Sequence, residues 1–464
     1  MDAKQWINEL NDEISGKLIK PKRELENNPI YKQELEKIGL CNFQNNVNSF
    51  VTNIKFFYDK KELFWIWKED EFKWEIIDEI SLMNLFDNFH NFQMKSVVAP
   101  YKTKYIDLLK AIGRNHEPKE PLVNWIQFKD KIFDIKTKQT FDATPEYSFT
   151  NPIPWELGDS DATPEMDKLF SQWVDRKWLS TLYEIIAYCC YRDYPLHIIF
   201  CLFGSGMNGK GQYQKLLVKF FGKDNLCSVE LDEVQERFGS FGLYKKLICQ
   251  MGETNFGIMD KTSLLKKLVG NDLIQFEYKN KMPFSDYNYA KIIINTNSLP
   301  TSNDTSEGFY RRWIIVPFEN SFENKCVLNV IDKIPEQEFK NLAFKIANLL
   351  PIILLCGRFS GQGTILQQKD GYVAASNPLP LFIKECCEEG NPETHYVRYS
   401  EIYRSYVNYL NKGKKRIVGK QEMRKALERE GFEVRRTMKK LWLENEQKWE
   451  SDNWIEGLKL KKVM

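Results

Sequence analysis

A short apolar run, His197-Ile-Ile-Phe-Cys-Leu-Phe203, stops at Gly204-Ser205-Gly206-Met207-Asn208-Gly209-Lys210, and an amphipathic stretch from Gly211 to Gly222 follows at once. Few local patterns restrict a fold so tightly. The apolar run suits a strand buried on both faces of a parallel sheet. The next seven residues fill the first seven positions of GxxxxGK[ST], in which glycines let backbone N–H groups curl around phosphates and the lysine neutralises their outer oxygens. Strand, glycine-rich loop and helix together predict a nucleotide site, with Gly204, Ser205, Gly206, Met207, Asn208, Gly209, Lys210, Gly211 and Gln212 as its cradle. The eighth position is Gly211 rather than Ser or Thr, so no hydroxyl is present there to meet Mg²⁺. Water in that coordination position is the expected arrangement, because Mg²⁺ gives up water reluctantly; the side-chain oxygen of Gln212 is the alternative.

Two further apolar runs extend the pattern. Leu247-Ile-Cys-Gln-Met251 ends in Gly252-Glu253, which delivers a carboxylate to a strand tip, where it can polarise an attacking water or hold a metal through water. Ala290 to Thr296 delivers Asn297 to another tip, where its amide can meet the γ-phosphate or water. Arg311 and Arg312 then precede the strand-like Trp313-Ile-Ile-Val-Pro-Phe318. An arginine beyond the active strands is suited to act on a neighbour's transferring phosphate, and for one of the pair an internal salt bridge is expected instead. Strand and helix patterns alternate up to about residue 320, as an α/β sheet requires.

The order GSGMNGKG, GET, LLKKLVGND, EYKNKMPF, KIIINTNSLP and DTSEGFYRRW resembles the superfamily III helicase module of phage and plasmid primase-helicases, and is similar also to the poxvirus primase-helicase. The resemblance implies an AAA+-related core, a parallel sheet with flanking helices, in a ring that is usually hexameric. It implies ATP and Mg²⁺ as cofactors, hydrolysis between subunits, and translocation on single-stranded DNA in the 3′ to 5′ sense. By this resemblance Lys210 is the phosphate lysine, Glu253 the acidic strand-end residue, Asn297 the polar sensor, and Arg311 or Arg312 the finger. The stretch from Glu277 to Phe284 matches a hairpin that projects into the channel of such rings, which makes Lys279 and Lys281 candidates to grip DNA phosphates.

At 464 residues the chain has room for several folding units at about 100 to 200 residues each. An α+β domain is expected over residues 1–160, with a helical start and aromatic-rich strands. The helicase core with its preceding helices follows over 161–356, a linker over 357–378, and a winged-helix-like domain over 379–464. In the first of these, Trp65, Trp67 and Trp74 read as core rather than as a base-stacking platform. Asp159 and Asp161 read as turn residues before a helix capped by Asp161 or Thr163, not as a metal pair. The net charge is only +2, from 66 basic and 64 acidic residues, so DNA binding has to come from local patches. One such patch is C-terminal. Lys414, Lys415 and Arg416 precede a helix opening at Lys420, and Arg435 and Arg436 fall in a basic ribbon, which suits duplex DNA.

The apolar run Asn341–Cys356 carries Lys345, Asn348 and Pro351, so a core helix is expected and no membrane partner. The N-terminus lacks the pattern of a secretory signal, and ten scattered cysteines form no CxxC pair, so the expectation is a cytoplasmic protein, in the host cytoplasm if the element is viral or plasmid-borne. No carboxylate pair with a catalytic histidine is visible, so priming is expected from a separate primase or polymerase. The competing reading is a nucleotide-gated initiator or DNA-binding scaffold with little turnover, which Gly211 favours.

Overall fold

The computed structural model describes residues 42–90, 99–204, 206–234, 239–252, 258–259, 262–279, 281–297, 299–322, 329–412, 417–443 and 446–461. The chain forms two units, residues 1–158 with 275–284, and residues 159–274 with 285–464.

In the first unit, helix α1 (Phe43–Asn53) precedes strands β1 (Phe56–Tyr58), β2 (Phe64–Lys68) and β3 (Lys73–Ile77), which form one antiparallel sheet. The break at Lys68-Glu69-Asp70 is the turn of the β2–β3 hairpin, with Trp67 opposite Trp74. Trp65, Trp67 and Trp74 are all buried, as core residues. Helices α2 (Glu79–His90) and α3 (Ala99–Gly113) close over the sheet around Phe50, Phe56, Phe86 and Tyr105. A second small sheet, β4 (Trp125–Phe128), β5 (Lys131–Asp134) and β6 (Thr140–Asp142), completes the unit.

The second unit opens with α4 (Pro164–Trp173) and α5 (Leu179–Cys189). Thr163 is the N-cap residue of α4, but its side chain does not cap; it meets Tyr183 and Lys345 instead. The free N–H groups of Glu165 and Met166 donate to the carboxylate of Glu338, at 3.0 and 3.1 Å, so a residue from a distant helix satisfies the helix start. Strand β7 (Ile199–Phe203) follows, then α6 (Lys210–Phe221), β8 (Leu226–Ser228), β9 (Ile248–Met251), the short β10 (Ile258–Met259), α7 (Thr262–Leu268), and the paired β11 (Leu273–Phe276) and β12 (Phe284–Tyr287). Next come β13 (Lys291–Thr296), β14 (Thr301–Ser302) and β15 (Trp313–Pro317).

Five of these strands make one parallel sheet in the order β15-β7-β13-β9-β8. Its inner strands are near-continuous apolar runs because both faces are covered. The first and fourth strands in chain order lie side by side at the centre. Their carboxyl ends, Phe203 and Thr296, pair in register. Ligands of open α/β sheets sit at such an edge. Lys291, at the start of β13, is fully buried; its ammonium donates to the carbonyls of Tyr191, Asp193 and Tyr289 at 2.6 to 2.9 Å and lies between the rings of Tyr188 and Tyr194.

Helix α8 (Glu336–Cys356) is long and apolar enough to cross a membrane by length and composition, yet Phe339, Leu342, Ile346 and Leu350 are buried in the protein, on a core helix. Residues 357–378, expected as a linker, hold α9 (Ile365–Ala375), which starts in a capping box of Thr364 and Gln367. Gln368 donates to the carbonyls of Arg311 and Trp313, and Tyr372 to that of Pro300, so the segment is tied to the sheet edge. The remainder runs α10 (Leu379–Cys386), β16 (Cys387–Glu389), β17 (Tyr396–Arg398), α11 (Tyr399–Lys412), α12 (Lys420–Arg429), β18 (Val434–Leu443), β19 (Glu446–Glu456) and β20 (Leu458–Leu460). It packs on its own core of Phe382, Ile402, Tyr406, Leu427 and Ile455, and β17, β19 and β18 form an antiparallel sheet.

Candidate nucleotide site

The loop between β7 and α6 holds its shape through contacts that its residue types require. Gly204 has φ +150°, and a Cβ there would stand 2.3 Å from the Phe318 carbonyl oxygen. Gly209 has φ +98°, and a Cβ there would stand 2.4 Å from the Trp173 ring. Both positions therefore need glycine. Gly206 and Gly211 are different: nothing lies within 4 Å of a Cβ at either. Asn208 is buried, and its amide donates to the Phe318 carbonyl at 2.8 Å, tying the loop to the end of β15. On the other side the Phe322 N–H donates to the Met207 carbonyl at 2.8 Å.

Lys210 begins α6 and is only 5% exposed. Its ammonium donates to Asn297 Oδ1 at 2.9 Å and to the Gly204 carbonyl. The lysine of the loop and the asparagine beyond β13, 87 positions apart in the sequence, thus meet at the centre of the sheet's carboxyl edge. A cavity of about 360 Å³ opens here, lined by Gly206 to Gln212, Asn295 and Asn297, with Leu169, Trp173, Phe322 and Val330 as an apolar wall. A phosphate chain fits the polar floor and an aromatic base the apolar wall.

Two side-chain oxygens at this cavity have no hydrogen-bond partner among the described residues although both are buried, Gln212 Oε1 and Asn295 Oδ1. Asn295 spends its Nδ2 on Gln214 at 2.8 Å, which leaves the oxygen without a donor. Buried amide oxygens without donors are uncommon. They fit a hydrated Mg²⁺, whose waters donate, and they line the same cavity as Gly211, which has no side-chain oxygen. Sequence reasoning passed over Asn295, although it lies on β13 two residues before Asn297, and both line the cavity. Trp173 carried no local signal, because only the fold brings it over Gly209.

Glu253 and Ser205 lie outside the described residues. The residue before Glu253 is held firmly: the Gly252 N–H donates to Glu230 Oε1 at 3.0 Å. The second oxygen, Glu230 Oε2, is buried and has no partner among the described residues. Glu230 was not anticipated; nothing in its neighbourhood marks it out, and β9 alone reveals it.

The arginine pair follows a single helical turn, Glu307–Tyr310, capped by Ser306. Asp304 steadies that cap. It accepts from Ser306 at 2.6 Å and pairs with Lys266, and although burial opposes it, these donors hold its carboxyl well below the usual carboxylate range. The two arginines differ. Arg312 is half-buried and donates back to the Gly308 carbonyl, and burial together with the Arg311 charge pulls its guanidinium below its ordinary value. Arg311 is exposed. Arg312 is the internal member of the pair, through a backbone carbonyl rather than a carboxylate.

Of the DNA candidates, Lys279 is exposed, whereas Lys281 donates to Glu79 Oε1 at 3.0 Å within the first unit. Lys420, Arg435 and Arg436 are exposed on the C-terminal part. Lys420 lies over the Tyr403 ring and Arg435 pairs with Glu433. Lys414, Lys415 and Arg416 lie outside the described residues. Among the described residues no group of three His, Cys, Asp or Glu side chains could hold a metal.

A family model described as a family of unknown function, DUF5906, matches residues 202–312, from β7 to the arginine pair. No curated protein matches the chain. Among solved structures, the chain is similar to the apo structure of the NrS-1 C-terminal region (305–718), with a TM-score of 0.50 and 14% identity over 89% of this chain and 99% of that one. A form of the same region gives a TM-score of 0.49 and 16% identity, over 72% of this chain and 75% of that one. At such identities the likeness is one of fold.

Proposed function

We propose that the chain is an ATP-dependent DNA helicase of replication, a member of the superfamily III group within the AAA+-related ATPases. The observation that carries this reading is the pairing of Lys210 with Asn297 at the floor of a cavity between the two central parallel strands. A γ-phosphate entering there takes the lysine from Asn297 and the Gly204 carbonyl. Mg²⁺ bound with the nucleotide would neutralise phosphate oxygens, and the Gln212 and Asn295 side-chain oxygens, unpartnered among the described residues, would accept from its waters. Glu253, two residues after β9 in the sequence, is the base for the attacking water, with Glu230 holding the N–H of Gly252 before it. Arg311, exposed beyond the sheet, reaches the nucleotide of an adjacent subunit, so that the working form is a ring, and the motif order favours a hexamer.

Lys279 and Lys281 grip single-stranded DNA. The helix, two-strand, helix, helix, two-strand order from α10 to β19 fits a winged helix for duplex DNA, with Lys420, Arg435 and Arg436 as contacts and Lys414, Lys415 and Arg416 added from the sequence. A separate primase or polymerase is the expected partner, in the cytoplasm of the host of a virus or mobile element. Steady-state ATPase measured with and without single-stranded DNA tests the proposal. Stimulated turnover supports the motor. Tight nucleotide binding without Mg²⁺-dependent turnover supports the second reading, a nucleotide-gated scaffold, which the lack of a hydroxyl at Gly211 favours.

A further inference from the structure

The hairpin tip that matches the DNA-gripping segment belongs to the first unit, and its lysine is engaged there. Glu79, at the start of α2, accepts from Lys281 at 3.0 Å and from Lys110 of α3 at 2.9 Å on the same oxygen, Oε1. One carboxylate oxygen between two ammonium groups has the charge arrangement of a phosphate oxygen in a basic site. Burial alone would push the Glu79 carboxyl up; the bonds from Lys110 and Lys281 outweigh it and hold the group below its ordinary value.

A further cation joins them. Arg114 lies one turn beyond Lys110, and its N–H donates to the Lys110 carbonyl at 3.3 Å. The guanidinium and the Lys110 ammonium both lie over the Tyr58 ring, 5.5 and 5.9 Å from its centre. This approach depends on Gly113, where a Cβ would stand 2.9 Å from the Tyr58 backbone nitrogen. Lys61 lies 5.3 Å over the ring of Phe284, at the base of the hairpin tip. Arg114 itself is exposed.

We infer that Lys110 and Arg114 of the N-terminal unit join Lys281 in one binding site for the phosphate backbone of single-stranded DNA, in which Glu79 occupies the phosphate position until DNA displaces it. The inference rests on the proposed DNA-translocating function and gives the N-terminal unit a part in it. An incoming phosphate takes over the two ammonium groups and gains Arg114, which pairs with no carboxylate among the described residues. Glu79 then swings to water, where its negative charge opposes the strand. The carboxylate thus sets a threshold for DNA binding.

Anisotropy of a fluorescent oligo-dT with the full chain, measured over a range of salt concentrations, tests this. For single strands each phosphate contact contributes about −0.7 to the slope of log affinity against log salt. Arg114→Ala should lower the magnitude of the slope by about one such contact, and Lys110→Ala with Arg114→Ala by about two. Glu79→Gln, which keeps shape and loses charge, should tighten binding several-fold. Thermal melting reports whether each variant folds, and Arg114→Ala, which breaks no ion pair among the described residues, guards against misfolding of the others. Unchanged slopes in a folded Arg114→Ala variant, together with unchanged affinity in Glu79→Gln, overturn the inference while wild-type DNA binding leaves the proposed function standing. If the wild type itself does not bind oligo-dT, both fall.

Discussion

Replacing Gly209 by alanine tests the architecture of the phosphate loop more sharply than removing any charged group. Two separate costs arise. The backbone at Gly209 has φ +98°, outside the comfortable range of an L-residue, and a left-handed conformation of this kind costs a non-glycine residue about 1–2 kcal/mol. The new Cβ would also stand 2.4 Å from Trp173 Cδ1 and 2.6 Å from Cγ, against an ordinary contact of 3.4 Å or more. Trp173 is 3% exposed and has little room to retreat, so the overlap adds about 1–3 kcal/mol, the usual range for an overpacked site. Together they come to about 2–5 kcal/mol, or roughly 30-fold to a few thousand-fold in the population of the nucleotide-ready loop at about 1.4 kcal/mol per tenfold. Titration with a fluorescent ATP analogue should show affinity reduced by that factor, with the melting temperature of the second unit little changed. Gly211→Ser is the control in the same loop, since nothing lies within 4 Å of its Cβ; it should bind nucleotide as the wild type does. If Gly209→Ala binds within about three-fold of the wild type, Trp173 does not brace the loop and the argument fails.

Lys210→Ala should abolish Mg²⁺-dependent ATP hydrolysis, because the ammonium bonded to Asn297 and Gly204 is the cation buried at the cavity floor; turnover retained in the presence of DNA refutes the site. Arg311→Ala mixed with Lys210→Ala subunits should regain some activity, whereas Arg312→Ala should instead lower the melting temperature; no recovery in any mixture argues against action across an interface. Gln212→Ala should keep most of its turnover with at most a few-fold rise in the Mg²⁺ needed for half activity, since water mediates the contact, and a large shift in that titration would make Gln212 a direct ligand. Lys291→Met takes the ammonium donor from three carbonyls and should destabilise the fold by about 2–5 kcal/mol in urea unfolding; a loss below about 1 kcal/mol would mean that the rings of Tyr188 and Tyr194 alone hold the strand start.

What the sequence reveals and what it hides divide along sequence separation. The β7 strand, its loop and α6 are contiguous, and each leaves a mark that short-range physics reads: an apolar run, glycines where φ turns positive, then a helical period. The β2–β3 hairpin is legible for the same reason, since Lys68-Glu69-Asp70 interrupts an aromatic strand pattern. Contacts formed at long range leave no such mark. Glu338 caps α4 from 172 and 173 positions away, Glu230 holds Gly252 from 22, and Glu79 meets Lys281 from 202. In each case a carboxylate that reads locally as solvated surface finds its donor only through the fold. The segment 357–378, expected as a linker, carries the Thr364–Gln367 capping box and the reach of Gln368 to the arginine strand, which make it a brace. That brace bears on function. Gln368 holds the carbonyls of Arg311 and Trp313, on either side of the half-buried Arg312, so the backbone that presents Arg311 is fixed by a helix lying more than fifty residues beyond it. An arginine that acts on a neighbour's nucleotide has to be presented rigidly, since a misplacement of about 1 Å can cost about a hundred-fold in rate. The residues that present it are therefore found from the contacts of α9 rather than from the motif that contains the arginine.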